Sequence, residues 1–266
     1  VKENFEALGE EVEDYEGGLA LGLGNNFHYS EIDPYWMAAS SLEEAVRRVI
    51  AVGADPARIA LNDNFTWPNC LPDDDNPEAE ENLGKLVRAN RALYRFSKEF
   101  GTPCISGKDS MFITGNLRDE SGNLRKVSGV PALQFSALGK VNDVRKSRTL
   151  RPQREGDLVY VVGKTGKELG GSEYYDYRGE IGSTVPRVDP DETRANYEFI
   201  NSCIEKGIVE SVHGIYRGGI GVSLAEMAIA GDVGLKIDLS EVPTDGSLDA
   251  WEILYSESPS RFLITV

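Results

Sequence analysis

The chain has 266 residues, 40% of them hydrophobic, which is enough for cores in two domains. Its 28 Lys and Arg stand against 44 Asp and Glu, a net charge of −16, and so acidic a surface repels phosphate backbones and argues against nucleic acid as a partner. There is no long apolar run to cross a membrane and no signal-like N-terminus. The three scattered cysteines (Cys70, Cys104, Cys203) form no CxxC pair, so neither a disulfide framework nor a zinc knuckle is suggested, and a reducing cytoplasm is the expected compartment.

Residues 1–16 are acidic and polar and read as a linker or arm. "LALGLG", 19–24, predicts a strand. "SSLEEAVRRVIAVGADP" predicts a helix capped by Ser40 or Ser41, with acids in its first turn, Leu42, Ala45, Val46, Val49 and Ile50 on one face, and Gly53 at its end. "RIALNDNF" reads as the next strand and residues 70–82 as a solvated acidic loop. A second helix is expected over 82–100, with Leu83, Leu86, Val87, Leu93 and Phe100 inward. Gly101 and Pro103 stop it, "PCIS" follows as a buried strand, and Gly107–Ser110 lie at its exit.

"VPALQFSALGKV" is a further strand. The basic, polar stretch after it marks a domain boundary near 145/146. "LVYVVG", 158–163, opens a new strand that runs into a glycine-rich loop. A helix is expected at about 190–206, and "GGIGVSLAEMAIAG" is another. "GLKIDL" and "SRFLITV" read as strands. Strand–helix alternation in both halves gives an α/β (α+β) class. The absent initiator Met and the strand-like ending lead us to expect a fragment of a longer protein.

Three stretches raise phosphate chemistry. In "GTPCISGKDSM", 101–111, a Gly-Lys pair follows an apolar run, but five residues separate Gly101 from Gly107 and Asp109 stands where a Walker motif needs Ser or Thr. Lys108, Asp109 and Ser110 are therefore either a different phosphate-facing strand exit or merely a polar one. In "KTGKELGGS", Gly166, Gly170, Gly171 and Ser172 could present N–H groups to an anion, or form an ordinary loop. "HGIYRGGIG" precedes a helix whose N-terminus could hold an anion, with Arg217 beside it. The two histidines, His28 and His213, have no companions at metal-ligand spacing, and there is no GxSxG elbow.

Taken in order, "IDPYWMAASSLEEAVRRVIAVGADP", "LNDNFTWPN", "NLGKLVRANRALYRFSKEFGTPCISGKDSM", "LGGSEYY", "HGIYRGGIGVSLAEMAIAG" and "SESPSRFLITV" resemble the phosphoribosylformylglycinamidine synthases (formylglycinamide ribonucleotide amidotransferases) of the AIR synthase-like superfamily. The resemblance covers nearly everything after residue 17. It implies an arm (1–16), an AIR synthase-like N-type domain (17–145) and a truncated C-type domain (146–266), matching the second of two homologous halves. It implies a ligase that uses ATP, Mg²⁺ and glutamine-derived ammonia, partnered by the missing first half and a glutaminase. The family's catalytic histidine belongs to the first half, so no catalytic residue is expected here.

In the second half, family members hold at most a structural nucleotide. The resemblance places Glu44 at a metal position. It also shows departures: Arg48 one turn on, Gly24 where an acid is common, and His213-Gly214-Ile215-Tyr216-Arg217 in place of H-D-x-S-[DE]. Mg²⁺ wants hard oxygen ligands, so a degenerate, scaffolding half that binds no nucleotide is expected. Its N-type sheet should pack on the first half or, in isolation, on a second copy. The alternatives are another ATP-dependent superfamily enzyme, such as AIR synthase, selenophosphate synthetase or a thiamine-phosphate kinase, or a non-catalytic regulatory homologue.

Overall fold

The computed structural model describes residues 16–73 and 76–266. The expected N-terminal arm lies, apart from Glu16, outside the described residues. β1 (Gly18–Gly24) is followed by helix α1 (Pro34–Ala51), β2 (Ala54–Thr66), helix α2 (Ala79–Phe100), β3 (Cys104–Ser110), a hairpin of β4 (Thr114–Arg118) and β5 (Leu124–Ser128), and β6 (Ala132–Val141). These give a four-stranded sheet ordered β1-β6-β2-β3. β6 runs antiparallel to β1 and β2, and β3 runs parallel to β2, reached through α2.

The second half has β7 (Val159–Val162), α3 (Glu173–Arg178), α4 (Pro190–Glu205), β8 (Ser211–Gly214), α5 (Gly219–Gly231), α6 (Ala250–Tyr255) and β9 (Phe262–Thr265). Its three strands form an antiparallel sheet ordered β7-β9-β8. One apolar core runs from Leu42, Phe96 and Phe135 through Ile200 and Ile204 to Phe262, joining both halves. A smaller core gathers Ile220, Leu224, Met227 and Leu263 under α5.

Period-2 burial along β1 sets the geometry of the first sheet. Ala20, Gly22 and Gly24 face inward, while Leu19, Leu21 and Leu23 are exposed. α1 lies across β1 and β6 at very close range. A Cβ on Gly24 would fall 1.9 Å from the Ser41 carbonyl oxygen, and one on Gly22 would fall 2.4 Å from that of Ala45. These two glycines admit the helix backbone, as glycine does where two backbones meet.

Several expectations are corrected. α1 begins at Pro34, capped by Asp33, whose side chain accepts from the Tyr35 N–H. Ser40, Ser41, Glu43 and Glu44 are therefore mid-helix and buried, not a cap and first turn. The Asp-Pro pair is the stronger start signal, since Pro at the first helical position gives up a donor that has no helical partner. Leu83 and Val87 on α2 are exposed, and its buried positions are Ala89, Ala92, Phe96 and Phe100. β3 is an exposed edge strand, and Gly107–Ser110 lie within it. "GLKIDL" forms no strand. The β4–β5 hairpin, β8 and α6 were not anticipated; the last two are only 4 and 6 residues long, too short for a periodic signal.

Candidate functional site

Of the residues singled out from the sequence, Glu44 and Arg217 line one cleft, and the others do not join them there. Glu44 sits on α1 beneath β1, whereas Lys108, Asp109 and Ser110 lie on β3 at the opposite edge of the sheet. Three strand spacings separate the edges, on the order of 14 Å. Lys108 is exposed and pairs in register with Asn64 on the outer face. Gly107 carries no side chain for a local reason, since a Cβ there would lie 2.8 Å from the Asp63 carboxylate.

The 166–172 loop lies elsewhere again, and its N–H groups are spent internally. Gly166 donates to Ser258 Oγ, Gly170 to the Thr184 carbonyl and Gly171 to that of Ile181. The N–H of Ser172 reaches the Leu169 carbonyl, and its hydroxyl accepts from Tyr175 as the cap of α3. The glycines serve packing, because a Cβ on Gly170 would strike Thr184 and one on Gly171 the ring of Tyr29.

The cleft that does form lies between the two halves, has a volume of about 730 Å³, and is lined by Leu21, Leu23, Glu44, Arg48, His213 and Tyr216 among others. Glu44 is its one carboxylate and is already engaged. Arg48 Nη2 meets Glu44 Oε1 at 2.6 Å, Nε adds a second bond at 3.2 Å, and Asn26 Nδ2 donates to Oε2 at 2.9 Å. One turn along α1 separates Glu44 from Arg48, so the pair forms within the helix. The Arg48 guanidinium lies 4.0 Å above the Tyr216 ring, and that of Arg47 lies 5.0 Å from it.

Tyr216 fills the space that a side chain at position 214 would need. A Cβ on Gly214 would lie 2.4 Å from the phenol oxygen. Burial pushes the Tyr216 phenol up to about 12, against the pull of the two guanidiniums. His213 stands edge-on to the same ring and bonds Glu226 at 2.8 Å. Burial holds its imidazole below the usual range. Arg217 also lines the cleft and pairs with Glu173 at 2.9 Å.

Behind this cleft a set of buried ionic contacts joins the halves. Glu43 accepts from the Tyr197 hydroxyl at 2.9 Å and the Ser260 N–H at 3.0 Å, and pairs with Arg47 at 3.1 Å. Arg47 donates to the Ile215 carbonyl at 2.6 Å. Glu257 receives the N–H groups of Gly218 at 2.7 Å and Glu173 at 2.9 Å on one oxygen and the Tyr29 hydroxyl on the other. Burial raises its carboxyl above the usual range, and those donors act against the rise. Glu257 thus takes up one backbone donor at the start of α5 and one at the start of α3 that an anion would otherwise meet.

These partners escaped the sequence reading, which met Tyr216 only as part of a departure from the family pattern. Only the ESPSR run hinted at Glu257, and Glu43 gave no sign distinguishing it from its neighbour Glu44. A magnesium nucleotide does not fit the cleft: its one acid is ion-paired, two glycines are pressed against helix backbone, and Tyr216 fills the remaining position. Among the described residues no cluster of three His, Cys, Asp or Glu could hold a metal ion, and no helix is long and apolar enough to cross a membrane.

Residues 154–266 match the family model of the AIR synthase related protein, C-terminal domain. The phosphoribosylformylglycinamidine synthase subunit PurL of Thermococcus sibiricus is 36% identical over 250 residues, which is 94% of this chain and 32% of that protein. The chain therefore spans about a third of the length of the curated relatives it matches. Among solved structures, T. maritima PurL complexed with FGAR superposes with a TM-score of 0.74 at 20% identity, covering 96% of this chain and 38% of the other. T. maritima PurL complexed with ATP gives 0.68 at 20%, covering 96% and 37%. At such identities the structures establish the shared fold.

Proposed function

We propose that this chain is the second synthase half of a phosphoribosylformylglycinamidine synthase, because residues 154–266 match the AIR synthase related protein, C-terminal domain, and nearly the whole chain is similar to about a third of PurL. The division into an N-type domain (17–145) and a C-type domain (146–266) goes with that reading. The whole enzyme would use ATP with Mg²⁺ to phosphorylate the amide oxygen of formylglycinamide ribonucleotide. Ammonia from a glutaminase would then displace phosphate to give the amidine. Such a ligase would work in the cytoplasm.

Within that enzyme this half is a scaffold. The observation that carries the reading is the cleft between the halves, where Arg48 neutralises Glu44 and Tyr216 occupies the space beside them. A site built in this way has no free carboxylate to offer a cation. The open face of the first sheet supports the same role. Leu19, Leu21 and Leu23 of β1 stand 73, 72 and 50% exposed, and Leu138 of β6 lies opposite Leu21. Polar residues Asn62, Asn64 and Lys108 continue that face toward β3. The apolar part would pack on the sheet of the first half, and Lys108 would face that half's reaction centre.

The test is the full-length gene product that carries this chain, supplied with formylglycinamide ribonucleotide, ATP and ammonium. Amidine formation that survives Glu44→Gln supports a scaffolding half. Loss of turnover in a folded Glu44→Gln enzyme would put the chemistry here and overturn the reading.

A further inference from the structure

We propose that the β4–β5 hairpin is a docking arm whose apolar face is covered by the preceding synthase half of the same enzyme; this rests on the functional reading above. The hairpin leaves the sheet after β3 and, among the described residues, pairs with no third strand. Every residue of both strands is exposed. A lone two-stranded hairpin is marginal in water and needs a surface to pack on.

The register sorts its side chains. Gly115 pairs with Val127, and Leu117 with Arg125. Ile113 precedes them in the same alternation, its carbonyl accepting from the Gly129 N–H. Ile113, Leu117 and Val127 therefore share one face, 39, 61 and 42% exposed, with Gly115 and Gly129 between them and Arg125, ion-paired to Asp119 at the tip, beside Leu117. The other face carries Thr114, Asn116, Arg118, Lys126 and Ser128, with Leu124 near the tip. Alternation with one apolar side is the pattern of a sheet packed on one face and wet on the other. Glycines on the apolar side let another backbone approach.

Two observations choose the occupant. About two thirds of the length of the curated relatives lies outside the span this chain matches. The hairpin also continues directly from β3, the strand whose Lys108 is placed above toward the first half, while the apolar patch of β1 and β6 lies across the sheet from it. A surface that takes the sheet would meet the arm three residues further along the chain.

The test uses the full-length gene product and its Leu117→Asp/Val127→Asp variant. Both changes fall on exposed positions, and a melting curve checks the fold. Limited trypsin digestion is read at Arg118, Arg125 and Lys126. Docking predicts that the wild-type hairpin is cut about tenfold more slowly, or slower still, than the variant's, since cleavage follows the open population. Equal cleavage of wild type and variant would overturn the proposal. Amidine formation is assayed alongside. A turning-over wild type with an unprotected hairpin removes the docking arm and leaves the ligase reading. A protected hairpin in a protein that makes no amidine removes the ligase reading and leaves the arm.

Discussion

Glu44 and Arg48 form a half-exposed ion pair: the carboxylate is buried and the guanidinium is 40% exposed. Breaking a fully buried pair costs roughly 3–5 kcal/mol, but here Asn26 keeps a bond to the carboxylate and solvent can reach the gap. Arg48→Ala is therefore expected to destabilise by about 1–2 kcal/mol in urea unfolding. Gly24 is a harsher case. Even Ala places a Cβ 1.9 Å from the Ser41 carbonyl, so Gly24→Ala should lower stability by about 3 kcal/mol or more, or prevent folding. The departure from a family acid at this position was legible in the sequence. Its cause, a helix pressed onto the strand, was not, because that contact joins residues 17 apart in the chain.

His213 gives a pH signature at the same scale. Its imidazole is held below the usual range by burial, with Glu226 opposing and Arg47 and Arg48 reinforcing the shift. The unfolded chain takes up this proton as pH falls through about 6.5, while the folded chain resists. Stability from this group is thus complete above that pH and is lost as pH falls toward the lower folded value. Wild type should lose more stability than His213→Gln between about pH 7.5 and 5.5. Parallel pH dependences, measured by urea unfolding, would remove His213 from the interface electrostatics.

Among the elements, α1 organises the molecule. It buries Ala39, Leu42, Val46, Val49 and Ile50 in the main core, meets the first sheet through Ser41, Ala45 and Val49, and carries Glu43, Arg47 and Arg48 toward the second half. Its cap, Asp33, also receives both bonds of Arg88 at 2.7 Å. Asp33→Ala should cost about 1 kcal/mol or slightly more, seen as a lower melting temperature. The apolar face of this helix was plain from its period of 3.6, but its start was not. Ser40 and Ser41 mimic a cap, and they drew the start away from Asp33-Pro34, the stronger signal seven residues upstream. β3 misled for the converse reason. "PCIS" is apolar enough for a core strand, and edge position is a property of the sheet rather than of the segment.

At the scale of the whole molecule, the open sheet face is what an isolated chain has to manage. Four exposed leucines on adjacent strands make a patch of the kind that marks association sites. The isolated chain is expected to dimerise in sedimentation velocity, and Leu21→Asp should shift it to monomer; a wild-type chain that stays monomeric at high concentration would count against a docking sheet. The net charge of −16 slows such self-association and makes it stronger with added salt.

The cleft between the halves is the centre of the functional proposal, and calorimetry reaches it directly. Titration of this chain with ADP or ATP in the presence of Mg²⁺ should give no heat of binding, because Arg48 holds Glu44 and Tyr216 fills the adjoining space. Binding at about micromolar affinity (roughly −8 kcal/mol), lost in Glu44→Gln, would contradict it and return the cleft to nucleotide chemistry.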